Sequence, residues 1–307
     1  MVNRPALIFI NEVSPRDGFQ IEPLFIPTAD KIEYINALSK ANLAKIEVTS
    51  FVSPKAIPAL ADAAQVIQGI QRHPNVQYSA LVPNVKGLER ALQANVDEIN
   101  FVLSATESHS QANLRQSRAQ SLEQLRQILQ LAGSVSLNVS ISTLFGCPFE
   151  GLVAIEAAQE MVQKVVDTGA RRIALCDTTG MANPEQVRQL ASWAVQQWPD
   201  IQWTVHFHDT RGMGLANAYS AYLAGIRHFD ASLGGLGGCP YAPGASGNVC
   251  TEDLVHMFDA MGLNTGVQLA KLLTIAKTLP SLIGRPISGH VAKSGPVGQQ
   301  AAAAKLN

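Results

Sequence analysis

Eight short apolar runs rich in β-branched residues recur along this chain, with helix-like stretches between them. The runs cover residues 6–13, 45–50, 77–83, 98–105, 134–143, 171–178, 202–210 and 228–235. We interpret them as strands that are apolar on both faces, as parallel strands covered by helices are. Eight such strands alternating with helices predict an α/β fold, a (β/α)8 TIM barrel. A doubly wound open sheet is the alternative, but the first run leads into Ser14-Pro15-Arg16-Asp17-Gly18 rather than a glycine-rich dinucleotide turn.

Length and composition suit one large barrel. The 307 residues are 47% hydrophobic and 15% charged, which allows a sizeable core. No linker or change in composition divides the chain. We therefore expect a single catalytic domain over 1–307, with extra C-terminal helices and a tail from about residue 251.

The charge and the apolar runs bear on partners and location. A net charge of −1 without a Lys/Arg-rich run predicts no nucleic-acid partner. No apolar run is long enough to span a membrane, so we expect no membrane partner. The first residues do not read as a signal peptide, and four scattered cysteines suit a reducing compartment, so we expect a cytoplasmic protein.

Ionisable residues cluster where the predicted strands end. The active site of a (β/α)8 barrel is formed at the carboxyl ends of its strands. At least five of the eight predicted ends carry candidates, namely Arg16 and Asp17, Glu47, Asp177, His206 and His208, and Cys239. These side chains are expected to converge on one rim.

His206 and His208 are two residues apart on one predicted strand, so their side chains share a face. Two imidazoles on one face can bind a single metal ion, and Asp17 would add a carboxylate. Such a mixed set favours Mg²⁺ or Mn²⁺ over a structural zinc. The alternative is one ligand and one structural histidine bonded to Asp209.

Arg16, Glu47 and Asp177 each have two interpretations. Arg16 either forms a surface ion pair with Asp17 or stabilises a developing oxyanion. Glu47 and Asp177 are candidates to orient a histidine or a metal-bound water. Asp177 is equally suited to cap the helix that begins near Asn183.

A loop at 234–248 contains six glycines and Cys239. Glycines allow positive φ and a close approach of ligand to backbone, so this segment reads as a binding loop that places a thiol. Cys239 is a candidate nucleophile, general acid/base or bystander. Cys147 is a weaker candidate, while Cys176 and Cys250 are expected to be structural.

Taken together, these motifs resemble the 3-hydroxy-3-methylglutaryl-CoA lyase family, from the first strand to about Leu273. The segments that carry the resemblance are 12–18, 46–55, 146–151, 206–210 and the glycine loop. The loop is the most specific of them, because the H-x-H and Arg-Asp-Gly motifs occur across a wider superfamily of metal-dependent lyases and acyl-CoA synthases.

The resemblance implies a divalent cation held by Asp17, His206, His208 and Asn248. It further implies Cys239 as the acid/base on the loop, Arg16 as the electrostatic catalyst, and Glu47 and Asp177 as acidic groups that tune the site. Arg16 and Gln20 would contact the substrate. The implied reaction is retro-Claisen cleavage to acetyl-CoA and acetoacetate, with CoA as part of the substrate. His206 or a nearby acid would protonate the enolate carbon.

Other functions remain open at this point. Ile21, Glu22 and Pro23 replace residues common after Gln20 in the family, so a related 3-hydroxyacyl-CoA, such as citramalyl-CoA or a longer branched homologue, is an alternative substrate. A condensing synthase, a 2-oxo acid aldolase or a non-enzymatic metal- or CoA-binding regulator are further alternatives. The resemblance also implies a homodimer and a place in leucine degradation.

Overall fold

A computed structural model describes residues 7–238 and 247–297 and has the expected α/β architecture. Eight parallel strands close into a barrel in the order β1-β10-β9-β8-β5-β4-β3-β2, and a two-stranded hairpin, β6-β7, lies outside it. The strands are β1 (Phe9–Glu12), β2 (Lys45–Ser50), β3 (Gln77–Val82), β4 (Glu98–Ser104), β5 (Ser136–Ser142), β6 (Gly146–Cys147), β7 (Gly151–Leu152), β8 (Arg172–Asp177), β9 (Gln202–Phe207) and β10 (His228–Ala231). The prediction of a closed barrel is confirmed, and the open sheet is excluded.

Helices follow each barrel strand. Those of the eight β/α units are Thr28–Ser39, Ala63–Gly69, Val85–Gln93, Arg118–Leu131, Ile155–Val166, Pro184–Gln197, Gly214–Leu223 and Thr251–Ala260. Thr251–Ala260 is thus the helix of the last unit, and the C-terminal helices that follow it are Leu269–Ala276, Leu279–Ile283 and His290–Ser294. A short helix, Glu107–His109, follows β4. Within the described ranges, no helix combines the length and the apolar character needed to cross a membrane.

Side chains at the helix starts explain several boundaries. Asn183 accepts hydrogen bonds from the backbone N–H groups of Glu185 and Gln186, and Pro184 occupies the first helical position. Asn84 caps the helix Val85–Gln93 in the same way, by accepting from Gly87.

The expectation that the strands are apolar on both faces is wrong. Along the barrel strands, most residues on the helix side are apolar, while many residues on the interior side are polar. On β2, Ile46 and Val48 join the core between sheet and helices. Lys45 and Glu47, on the other face, bond side chains of β4, which is not adjacent to β2. The barrel interior is therefore a polar layer that leads to the carboxyl ends of the strands.

Candidate functional site

A cavity of about 110 Å³ opens at the carboxyl ends of the strands. It contains most of the predicted site residues together with further polar groups. Its lining consists of Arg16, Asp17, Gln20, Asn100, Val102, His109, Asn113, Ser140, Ser142, Cys176, Thr178, His206, His208, Asp230 and Gly238. The position agrees with the rule that barrel enzymes carry their sites at this end.

Asp17, His206 and His208 form one cluster. Their nearest donor atoms all lie within 4.8 Å of one another. The Oδ2 atom of Asp17 is 4.0 Å from Nε2 of His206 and 3.8 Å from Nε2 of His208. These separations are too long for hydrogen bonds. They suit donors that converge on a common ion, and a mixed set of carboxylate oxygen and imidazole nitrogen fits a divalent cation.

A tight turn brings Asp17 to the cluster. Residues Ser14–Gly18 form one turn after β1, in which the carbonyl of Val13 accepts the backbone N–H groups of Arg16 and Asp17. Glu12, at the end of β1, accepts the backbone N–H of Ser14 at 2.9 Å. The turn therefore fixes Arg16 and Asp17 together at the barrel mouth.

Asn248 lies beside the cluster because the end of the glycine loop pairs with the segment after β9. His208 and Asn248 form an antiparallel bridge. Nδ2 of Asn248 donates to Oδ2 of Asp17 at 2.7 Å and to the carbonyl of Leu236 at 2.8 Å. Gly237 has a φ of +99°, and a Cβ there would lie 2.5 Å from Nδ2 of Asn248, so this position requires glycine.

The charges at the cluster suit a cation. Burial would raise the pKa of the Asp17 carboxyl, but Arg16 and then the two histidines outweigh burial and lower the pKa to about 2. Burial, and then the charge of His206, lower the pKa of His208 to about 4. Burial would also lower the pKa of His206, but Asp230 and Asp17 raise it. Asp17 is thus anionic and His208 neutral at pH 7, as metal ligands must be, whereas His206 must release its proton when a cation binds.

Arg16 is held from two sides. Its Nε donates to Glu47 at 2.7 Å and its Nη1 donates to Asp17 at 2.6 Å. The side chain of Arg16 is 10% exposed, that of Glu47 4% and that of Asp17 13%. The interpretation as a surface ion pair is therefore wrong. Glu47 in turn accepts from Nδ2 of Asn100 at 2.8 Å. Glu47 thus orients Arg16 rather than a histidine.

Asp177 serves the loop after β8. Its two oxygens accept the backbone N–H groups of Met181 and Ala182 at 2.8 and 3.0 Å, and burial raises its pKa to about 6. The alternative that Asp177 caps the next helix is wrong, because Asn183 does so. Asp209 accepts the N–H of Gly214, in place of the predicted bond to a histidine.

Three of the four cysteines lie within the described residues. Cys239 lies outside the described residues, so its role stays a prediction. Cys147, Cys176 and Cys250 are buried and free. Cys176 lines the cavity, where burial raises the pKa of its thiol well above the ordinary value. Cys250 precedes the helix Thr251–Ala260, and its expected structural role agrees with that place.

Asp230 and Asn100 are among the polar groups of the cavity that were not predicted. Asp230 on β10 lies 3.4 Å from Nδ1 of His206, and Asn100 on β4 contacts Glu47. Asp and Asn are depleted in strands, so each was a signal in the sequence. Both were overlooked because the strands had been interpreted as wholly apolar.

A larger groove of about 1300 Å³ adjoins the cavity. Gln20, Val102 and Asn113 line both, so the two spaces meet at these residues. Lys55 and Arg115 are cationic residues of the groove.

Comparison with known proteins identifies the family. The HMGL-like family profile matches residues 7–279. The chain is 46% identical to hydroxymethylglutaryl-CoA lyase YngG of Bacillus subtilis, over 92% of this chain and 95% of that protein. It is 40% identical to (R)-citramalyl-CoA lyase of Chloroflexus aurantiacus, over 94% and 95%. A solved HMG-CoA lyase of Acinetobacter baumannii, in complex with coenzyme A and 3-methylmalate, superposes with a TM-score of 0.92 at 47% identity, covering 96% of this chain and 97% of that one. The chain therefore belongs to the HMGL-like family and is a carbon–carbon lyase.

Proposed function

We propose that this chain cleaves 3-hydroxy-3-methylglutaryl-CoA to acetyl-CoA and acetoacetate with the help of a divalent cation. The observation that carries the proposal is the Asp17, His206 and His208 cluster, with Arg16 beside it in one cavity at the barrel mouth. Relatives named hydroxymethylglutaryl-CoA lyase support the substrate. Asn248 would complete the ligand set, and Mg²⁺ or Mn²⁺ suits these donors.

The bound cation would supply Lewis acidity toward the carboxylate and tertiary hydroxyl of the substrate. Cys239 would take the hydroxyl proton as general base. As the carbon–carbon bond breaks, its electron pair moves onto the thioester as an enolate. Arg16, held in place by Glu47, would donate hydrogen bonds to the enolate oxygen. Another acid on the rim would return a proton to the enolate carbon, so no net proton is consumed.

We propose that the acyl-CoA lies with its acyl end in the cavity and its nucleotide end in the adjoining groove. Gln20 and Asn113 would contact the substrate at the junction, because they line both spaces. Lys55 and Arg115 would offer positive charge to the phosphates. From the resemblance we further propose a cytoplasmic homodimer that acts in leucine degradation.

Acetyl-CoA release from a panel of substrates tests the proposal. Citramalyl-CoA is one methylene shorter than the proposed substrate, and one methylene changes kcat/KM by about 10- to 200-fold. We expect at least a tenfold preference for the hydroxymethylglutaryl thioester with Mg²⁺ or Mn²⁺. A preference for citramalyl-CoA would show that citramalyl-CoA is the substrate instead. Turnover of a free 2-oxo acid without CoA would show that the enzyme is an aldolase or synthase of a different reaction class.

Variants of two cysteines test the role of the loop thiol. Cys239→Ala is expected to lose nearly all activity, whereas Cys147→Ala, at a buried thiol outside the cavity lining, keeps it. Full activity in Cys239→Ala would refute the acid/base assignment. Tight CoA binding without turnover of any thioester in the panel would instead favour the regulatory alternative.

A further inference from the structure

Asp230 lies directly behind one of the two imidazoles of the cluster. Strands β9 and β10 are neighbours, and their register places Asp230 opposite His206. An oxygen of Asp230 is 3.4 Å from Nδ1 of His206, while Nε2 of the same ring faces Asp17. The imidazole therefore lies between two carboxylates, one on each side.

Asp230 is itself held in place. The register of β1 and β10 places Asn11 opposite Asp230, and Nδ2 of Asn11 donates to Oδ1 of Asp230 at 2.8 Å. Asn11, Asp230 and His206 thus form one row across three adjacent strands. The side chain of Asp230 is only 10% exposed, so its orientation is set by these contacts rather than by solvent.

The two histidines of the cluster differ in what surrounds their Nδ1 atoms. Nδ1 of His208 is buried and has no hydrogen-bond partner in the described residues. Nδ1 of His206 faces a carboxylate. A carboxylate behind a ligating histidine fixes the tautomer and the ring orientation, and it makes the other nitrogen a stronger donor.

We propose that Asp230 is a positioning residue that holds His206 with Nε2 directed at the cation, so that His206 is the firmly held imidazole of the pair. This inference rests on the metal site proposed above. Asp230 acts through His206 and is not assigned a contact with the substrate. Asn11 acts one step further away, by fixing the carboxylate of Asp230.

Mn²⁺ binding to the metal-free full-length protein, followed by the EPR signal of free Mn²⁺, tests this role. Asp230→Ala is expected to raise the Kd for Mn²⁺ about 10- to 100-fold. Asp230→Asn is expected to have a smaller effect, because its amide oxygen still accepts from Nδ1–H. Asn11→Ala should weaken binding less than Asp230→Ala does.

A double-mutant cycle separates positioning from a general structural effect. If Asp230 acts through His206, Asp230→Ala in the His206→Ala background changes the Kd less than about twofold. An equal loss in both backgrounds, or a Kd of Asp230→Ala within twofold of the unmodified protein, overturns the inference. If Asp230→Ala does not fold, Asp230→Asn takes its place in the double-mutant cycle. If the unmodified protein does not bind Mn²⁺, the proposed metal site is wrong and this inference falls with it. If it binds Mn²⁺ but Asp230→Ala leaves the Kd unchanged, only this inference is wrong.

Discussion

Glu12 is a buried carboxylate that joins three parts of the site. One of its oxygens accepts the backbone N–H groups of Ser14 at 2.9 Å and Leu233 at 3.0 Å, and the other accepts the hydroxyl of Thr251 at 2.7 Å. Ser14 begins the turn that carries Asp17, while Leu233 and Thr251 lie on either side of the glycine loop. Substitution of Glu12 therefore shows whether hydrogen-bond geometry or charge holds these segments together.

We expect Glu12→Ala to lower the free energy of unfolding by about 4 kcal/mol, because two buried N–H groups lose their acceptor at about 2 kcal/mol each. Glu12→Gln keeps a carbonyl oxygen for both N–H groups, and the hydroxyl of Thr251 can rotate to accept from the new amide. Burial raises the pKa of Glu12, which shows that the charged form is disfavoured here. The neutral glutamine should therefore change stability by no more than about 1 kcal/mol.

Urea unfolding of the metal-free proteins at pH 7, followed by circular dichroism, measures these differences. Glu160→Ala is a matched control, since Glu160 is an exposed partner of Lys164, and it should leave the unfolding midpoint unchanged. If Glu12→Gln loses as much stability as Glu12→Ala, charge rather than geometry holds the segments. A loss below about 1 kcal/mol in Glu12→Ala would show that the N–H groups find other acceptors, and the reasoning would fail.

Three further predictions follow from buried charges and from the cation. Burial raises the pKa of Glu252 to about 7, above its ordinary value of 4.5, so the native protein loses about 3 kcal/mol of stability as pH rises from 4.5 to 7. The free energy of unfolding of Glu252→Gln, measured with urea, should not fall over this pH range. If it falls in parallel with that of the unmodified protein, the prediction is wrong. Arg285→Ala leaves the buried Glu22 beside the groove without its partner. Steady-state kinetics should then show a several-fold higher KM with little change in kcat. An unchanged KM would show that Glu22 does not shape the groove. Calorimetry at 100 times the Kd for Mn²⁺ should show about 2.7 kcal/mol of stabilisation, which a chelator reverses and Asp17→Asn abolishes.

The barrel could be predicted from the sequence because its strands contain apolar residues that pack under the helices. The helix Val85–Gln93 is harder to recognise in the sequence, because only three of its residues are buried, although Asn84 caps it. The hairpin formed by β6 and β7 has two residues in each strand, too few for any pattern to appear.

The metal cluster was predicted because a topological rule brings strand ends together, wherever they lie in the sequence. Asp17 and His206 are 189 positions apart and still meet. The contacts that orient these groups depend instead on register and on the turn after β1. That His206 faces Asp230 follows from which residues lie opposite each other on β9 and β10. That Arg16 reaches Glu47 follows from the turn Ser14–Gly18, and no local pattern reveals either contact.

The polar interior explains how this barrel combines stability with a preorganised site. The interior of a (β/α)8 barrel is ordinarily filled by layers of branched apolar side chains. Here the apolar core lies between the sheet and the helices, and the interior holds hydrogen-bonded side chains instead. Asn138 and Ser140 on β5 both donate to Asn100, which donates to Glu47, which orients Arg16.

Such a network stabilises little by itself, because each buried polar group costs free energy unless every partner is present. Its contribution is to restrict Arg16 to one orientation, beside the proposed cation site. Substitutions deep in the barrel should therefore lower kcat or metal affinity, with a loss of stability as well where they leave a buried polar group without its partner. Substitutions between the sheet and the helices should lower the melting temperature and leave the orientation of the site groups unchanged.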